Sequence, residues 1–175
     1  MVEKETCTSD LYDYIIFYRW RSPYDMYERG QVMARLVAEI IGKECHRVWL
    51  DQREMQRSTP PEQVIWKIAN IFPRVSQVII LAAPGDWLRF ANNDDIHRWE
   101  WELSLQSDKK IWLLQYGQHE QTTPFSQQDL VTGFGVYHPR LAELASKKFV
   151  SVRVVTMENI DGVIREITTS LLDDS

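Results

Sequence analysis

The chain has 175 residues, 44% of them hydrophobic, and a formal net charge of -5 at pH 7. This length and hydrophobicity suit one domain with a full core and exclude a disordered chain, and the acidic balance argues against general nucleic-acid affinity. No apolar run approaches a membrane span, and Cys7 and Cys45 lack metal-ligand spacing. We therefore expect a cytoplasmic protein that binds neither nucleic acid nor membrane. Residues 1–10 are predicted to be a flexible N-terminus and residues 11–175 a single domain.

Five segments predict the strands of a parallel sheet, at residues 14–17, 47–50, 78–81, 111–114 and 149–155. The first four are largely apolar runs, and the fifth alternates before it becomes apolar. Strands without alternation are typical of a parallel sheet that is buried under helices on both faces.

Helical spacing of apolar residues predicts helices at residues 28–41, 61–72, 96–103, 140–147 and 160–171. Thr59 and Glu62 have the spacing of a capping box, and Asn93 or Asp94 is expected to cap the helix that precedes the fourth strand. Strands that alternate with helices indicate an α/β fold. We predict a flavodoxin-like three-layer sandwich with a five-stranded parallel sheet in the order 2-1-3-4-5 and right-handed crossovers.

The predicted ligand site lies where this strand order reverses, outside the carboxyl ends of strands one and three. Tyr18, Arg19 and Trp20 follow strand one, and Ala83 follows strand three. Asp51 follows strand two at the same edge of the sheet. The basic cluster around Arg19 suits a small anionic ligand better than a nucleic-acid duplex.

The helix after strand three carries two glutamates among aromatic residues. Ile96, Trp99 and Leu103 share one face, which we expect to be buried. Glu100 and Glu102 are two residues apart and point in different directions, so only one of them is expected to face a given cleft. The other reading is a core helix with Trp99 buried and both glutamates in solvent.

These segments resemble the motifs of a Toll/interleukin-1 receptor (TIR) domain, and in particular those of small standalone bacterial members. Residues 13–19 resemble the first box of the family, a strand of the form D-x-F-I-S-Y that ends in a basic residue, with Phe17 in place of the serine. Residues 48–51 match the second box, without the glycine that often follows it. Trp99 and Glu102 resemble the tryptophan and glutamate of the next helix, one residue closer together than usual.

The resemblance covers residues 11–117 and implies an enzyme that cleaves the bond between nicotinamide and ribose in NAD⁺. NAD⁺ is then the substrate, with no permanently bound cofactor, and the product is ADP-ribose or a cyclic ADP-ribose. The resemblance also implies self-association through TIR–TIR contacts, to which the loop at residues 52–59 contributes. It further implies immune or antiphage signalling, in which a downstream effector protein senses the nucleotide product.

Cleavage of this bond develops positive charge on the ribose, while the leaving group is already a cationic pyridinium and needs no general acid. We assign Glu102 to stabilise that charge and expect Glu100 to point away, with the reverse assignment as the alternative. Arg19 is assigned to the pyrophosphate and Trp99 to stacking on a ring of the substrate, against the plainer readings of a surface ion pair and a core residue. The predicted NAD⁺-contacting set is Tyr18, Arg19, Trp20, Asp51, Ala83 and Trp99.

Two other functions fit the same pattern. One is a non-catalytic TIR scaffold that acts only by self-association. The other is a deoxyribosyltransferase-like nucleoside enzyme, which also relies on a carboxylate near a ribose. The four histidines lack metal-ligand spacing and are read as surface or core residues.

Overall fold

The computed structural model of the protein describes residues 11–20, 29–55, 58–83, 85–117 and 123–173. Its centre is a five-stranded sheet in the order β2-β1-β3-β4-β5, and every neighbouring pair is parallel. This confirms the predicted fold class and strand order. The strands are β1 (Tyr12–Phe17), β2 (Val48–Trp49), β3 (Val75–Ala82), β4 (Lys110–Gln115) and β5 (Ser151–Val154).

Helices cover both faces of the sheet, as its apolar strands require. Successive residues of a strand point to opposite faces, so Ile15 and Phe17 enter one core while Tyr14 and Ile16 enter the other. The helices are α1 (Arg29–Lys43), α2 (Asp51–Glu54), α3 (Pro61–Ile71), α4 (Ile96–Gln106), α5 (Gln127–Tyr137), α6 (Pro139–Lys147) and α7 (Ile160–Asp173). The first core is closed by α3, α4, α5 and α6, and the second by α1 and α7.

Helix α5 was not predicted from the sequence. It begins with a capping box, in which Ser126 and Asp129 each accept from the other's backbone N–H, and it contains two glycines, which weaken helical propensity. Gly133 is required by packing, because a Cβ there would come within 2.5 Å of the Trp87 ring. Gly133 lowers the helical propensity of the segment, but its lack of a side chain allows α5 to pack against Trp87.

Two predicted helix caps differ from the structure. The N-cap of α3 is Pro60 and makes no side-chain capping bond. The cap of α4 is Asp95 rather than Asn93 or Asp94, and its carboxylate accepts from the backbone N–H of Arg98 at 3.3 Å.

The buried face of α4 is also rotated from the prediction, because α4 packs against both the sheet and the neighbouring helices. The Trp101 ring lies 5.0 Å from the Phe134 ring of α5 and is fully buried. Ile96, Trp99 and Leu103 are only partly buried at the margin of the first core. The buried residues of α4 are His97, Glu100, Trp101, Ser104 and Leu105.

None of the described helices is long and apolar enough to cross a membrane. The prediction for residues 1–10 lies outside the described residues, and so do residues 56 and 57 of the loop at residues 52–59.

Candidate active site

A cavity of about 510 Å³ opens at the carboxyl-terminal edge of the sheet. Its walls include the residues after β1, the start of α3, Arg89 beyond β3 and the first turns of α4. This is the edge where parallel α/β sheets bind ligands, and the volume falls within the roughly 300–1,000 Å³ of small-molecule sites. Tyr18, Arg19 and Trp20 all line it.

Arg19 joins the end of β1 to the start of α4. Its Nη1 and Nη2 atoms donate to the two carboxylate oxygens of Asp95 at 2.7 Å each, and its Nε donates to the carbonyl of Asp86 at 2.7 Å. Both side chains of the ion pair are buried, 6% and 9% exposed. The guanidinium therefore lines the cavity with its charge already balanced by Asp95, and the predicted pyrophosphate would have to compete with that carboxylate.

Asp51 connects the ends of β1 and β2 through hydrogen bonds. It accepts hydrogen bonds from the Tyr18 hydroxyl at 2.8 Å and from the Trp20 indole N–H. Burial raises the pKa of Asp51, although the bonds from Tyr18, Trp20 and the Gln52 backbone act to lower it. Asp51 therefore fixes two cavity-lining rings, and it is not itself among the lining residues.

The same two rings also line a side cavity of about 210 Å³. Tyr18, Trp20 and Gln31 line both spaces, while Arg35 and Gln52 belong to the side cavity. A ligand with two halves has room on both sides of this shared wall.

Glu100 is the carboxyl group of α4 that faces the main cavity, and it is only 5% exposed. Burial raises its pKa well above the ordinary value, the negative charges of Asp51 and Asp95 raise it further, and the charge of Arg19 offsets part of the rise. Its Oε2 lies 3.3 Å from Nδ1 of His97, which lines the cavity too. Burial and Arg19 lower the pKa of His97 well below the ordinary value, so the contact is a hydrogen bond to a neutral imidazole rather than an ion pair.

Glu102 lies outside the cavity lining and is held by two arginines instead. Arg98 Nη1 and Arg140 Nε each donate to its carboxylate at 2.7 Å. Partial burial raises the pKa of Glu102, but the hydrogen bonds from Arg140 and Arg98 outweigh it and hold the pKa below its ordinary value. The two glutamates are thus placed the other way round from the sequence-based expectation.

Two more predicted residues are not brought to the cavity. Trp99 packs at the margin of the first core, and Ala83 contacts the second core while its N–H donates to Asp86 at 2.7 Å. Neither residue lines the main cavity.

Several lining residues were not predicted as functional from the sequence, among them Arg89 and His97. Arg89 is exposed, and its side chain makes no hydrogen bond or ion pair with any of the described residues. The sequence predicts a surface or core residue at His97, whereas the structure places it beside Glu100 at the cavity wall. The spacing of His97, Glu100, Trp101 and Ser104 is itself a helical stripe, and polar members in such a stripe are the signal that points to a site.

Among the described residues, no group of three or more His, Cys, Asp or Glu side chains is arranged to hold a metal ion. Comparison with protein-family models gives no match, and comparison with curated proteins gives no significant match. The fold and cleft define an α/β protein of flavodoxin-like topology with a ligand-sized cavity at the reversal of strand order. Its resemblance to TIR domains stays a prediction.

Proposed function

We propose that the protein is an enzyme that cleaves the nicotinamide–ribose bond of NAD⁺, with Glu100 as the catalytic carboxylate. The observation that carries the proposal is the placement of Glu100. It is a buried carboxyl group at the wall of a ligand-sized cavity, next to His97, and the charges of Arg19 and Asp51 act on it. A carboxyl group in a cleft whose pKa is strongly perturbed by burial and by charged neighbours is a candidate for a functional site.

The chemistry needs such a group on only one side of the ribose. The bond from C1′ to the pyridinium nitrogen breaks, and its electron pair leaves with neutral nicotinamide. Positive charge then develops at C1′ and the ring oxygen, where an ionised Glu100 stabilises it. Water attacks C1′ and loses a proton, giving ADP-ribose; attack by a group of the same molecule gives a cyclic product instead.

The cationic pyridinium of NAD⁺ also suits a carboxyl group that is reluctant to ionise. A positive charge close to a carboxylate favours the ionised form, so bound substrate opposes the effect of burial on Glu100. The ionised state needed for catalysis is then most favoured when the substrate is present. A site of this kind is preorganised for a cationic leaving group.

The remaining lining suits the other half of a dinucleotide. Arg89 offers an unpaired guanidinium to a phosphate, and the Trp20 ring at the shared wall offers a stacking surface. The side cavity beyond Trp20 gives the ligand a second compartment. In this arrangement Arg19 holds α4 in place through Asp95 and does not itself bind the pyrophosphate.

A second candidate, the nucleoside enzyme, is favoured by the charge of the lining. Asp94 and Asp95 both face the cavity, and Arg19 is neutralised by Asp95, so Arg89 alone is left to attract a phosphate among the described arginines of the lining. An uncharged nucleoside meets less repulsion there than a pyrophosphate does. Both candidates use Glu100 beside a ribose.

The proposal extends to signalling through the resemblance to TIR domains. Self-association would bring neighbouring copies together, and a downstream effector would read the nucleotide product. Arg53, an exposed residue of α2, belongs to the described part of the loop that is expected to contribute to that contact.

The test uses three substrates with the purified 175-residue protein: NAD⁺, nicotinamide riboside, and deoxyadenosine together with a free purine base as the acceptor that a deoxyribosyltransferase needs. NAD⁺ and nicotinamide riboside share the scissile bond, but only NAD⁺ carries phosphates; deoxyadenosine lacks both the phosphates and the cationic ring. We expect chromatography to show nicotinamide released faster from NAD⁺ than from the riboside, and Arg89→Gln to reduce that preference. Adenine released from deoxyadenosine without any nicotinamide would favour the second candidate, and no release from any of the three would contradict both.

A further inference from the structure

His97 and Glu100 form a contact that the cleavage chemistry by itself does not require. They lie one turn apart on α4, both line the main cavity, and they are 3% and 5% exposed. Nδ1 of His97 lies 3.3 Å from Oε2 of Glu100. Among the described residues, no other hydrogen bond reaches the side chain of Glu100.

The other charged groups around Glu100 come from three different elements. Asp51 follows β2, Asp95 caps α4, and both disfavour a second negative charge nearby. Arg19 follows β1 and favours it, and the guanidinium of Arg19 is held in a buried ion pair with Asp95. The Tyr18 hydroxyl is directed to Asp51 and not to Glu100. A carboxylate at position 100 thus depends on His97 for its hydrogen bond.

The tautomer of His97 follows from its other nitrogen. Nε2 is buried and has no hydrogen-bond partner among the described residues, and the ring packs near Phe90 at 5.9 Å between ring centroids. A proton on Nε2 would leave an N–H group with no acceptor in an apolar place, whereas a proton on Nδ1 meets the carboxyl of Glu100. Orphaned buried N–H groups are rarer than under-satisfied acceptors, so we assign the proton to Nδ1.

We propose that His97 is a positioning residue, whose Nδ1–H donates to Glu100 and holds its carboxylate, in the ionised form, against the cleft. The proposal rests on the proposed function of Glu100 for its consequence in catalysis, but its physical content is the state of one carboxyl group. A hydrogen bond to the charged form favours that form, so His97 opposes the burial that raises the pKa of Glu100.

Two variants separate this role from simple packing. The side-chain N–H of asparagine can occupy the place of Nδ1, so His97→Asn keeps the donor. His97→Leu fills a similar volume and removes the donor. We expect the titration midpoint of the Glu100 carboxyl, followed by carbon NMR in the full-length protein, to move to higher pH in His97→Leu and to stay close to wild type in His97→Asn. The resonance is assigned by its absence in Glu100→Gln.

We expect the rate of nicotinamide release to fall in His97→Leu and to stay close to wild type in His97→Asn. Loss of a hydrogen bond to a charged group lowers nicotinamide release by about tenfold or more near neutral pH, with recovery as the pH rises. A change of packing alone would lower the rate at every pH.

Two results with the variants would overturn the proposal: equal midpoints in all three proteins, or an asparagine variant that shifts as far as the leucine variant. Nitrogen NMR of the wild-type histidines gives a test that needs no variant to fold, because it reports which ring nitrogen of His97 carries the proton; a proton on Nε2 at neutral pH would also overturn it. If the wild type releases no nicotinamide, the proposed function fails, while the carboxyl titration and the tautomer still decide the role of His97.

Discussion

The two sides of α4 place the same residue type in opposite electrostatic conditions. On the cleft side, Glu100 is buried beside a neutral imidazole, and its pKa is raised. On the outer side, Glu102 is clasped by Arg98 and Arg140, and its pKa is lowered. The pKa values of these two glutamates, which are two residues apart on the helix, are therefore shifted in opposite directions.

The comparison teaches that helix rotation, not residue type, selects the group suited to chemistry. Trp101 fills the core against Phe134, and this fixes the rotation of α4. Glu100, the residue before Trp101, is then turned into the cavity, while Glu102 is turned toward α6. The two arginines stabilise the ionised form of Glu102, whereas Glu100, which faces the cavity, has a raised pKa.

The largest expected effect concerns the ion pairs on the two sides. Arg19→Met removes the partner of buried Asp95, and breaking a buried pair in this way costs about 3–5 kcal/mol of unfolding free energy. Arg140→Met is the matched control, because Arg140 is 54% exposed and its pair with Glu102 contributes at most about 1 kcal/mol. Urea unfolding measures both. Equal losses in the two variants would contradict the assignment of a buried and an exposed side.

The next effect is the pH dependence of stability from Glu100. Its pKa in the folded protein is raised above the ordinary 4.5, so the stability that its protonated form provides is complete below that value and is lost as the pH rises through the folded pKa. Glu100→Gln removes this loss. We expect its stability relative to wild type to improve between pH 5 and pH 8 in urea unfolding.

Asp51 changes stability in the same direction, and its negative charge raises the pKa of Glu100; Glu100→Gln therefore also relieves Asp51 of this repulsion, which adds to the difference with the same sign. A difference that stays constant with pH, or that falls as the pH rises, would contradict a raised pKa for Glu100.

The smallest effect belongs to Glu102 and has the opposite sign. Its pKa is lowered, so the stability that it contributes is present above the ordinary 4.5 and is lost as the pH falls through the folded pKa. Glu102→Gln should cost about 1 kcal/mol or less at neutral pH, since its partners are partly exposed, and the difference from wild type should shrink in acid. Thermal melts at pH 7 and pH 3 measure this. A penalty that grows in acid would show that the arginine pairs do not govern this carboxylate.

The fold could be predicted because each strand is marked by a local apolar run, and parallel strands joined by helices leave few topologies. The residues at the strand ends, Tyr18, Arg19 and Trp20, could be placed by the same logic, since the sheet edge sets their position. The choice between Glu100 and Glu102 could not. It depends on the rotation of α4, which is fixed by the contact of Trp101 with Phe134. Phe134 belongs to α5, a helix that could not be predicted because its segment contains two glycines.

The hydrogen-bond partners of the site residues could not be predicted from the sequence either. Arg19 was assigned to a pyrophosphate because an arginine after a strand is an obvious anion binder. Its carboxylate partner, Asp95, lies far along the chain and becomes adjacent only through the cap of α4. Long-range ion pairs of this kind follow from the fold and leave no local signal.

The central claim is that the cleft side of α4 carries the chemistry, and one matched pair of variants tests it most directly. Glu100→Gln and Glu102→Gln make the same change two residues apart, and NAD⁺ turnover is measured in both alongside NAD⁺ binding. We predict that Glu100→Gln lowers kcat by about 10²–10³ with binding largely kept, because the charge acts in the transition state, while Glu102→Gln turns over like wild type. Full activity in Glu100→Gln, or an equal loss in Glu102→Gln, would contradict the claim.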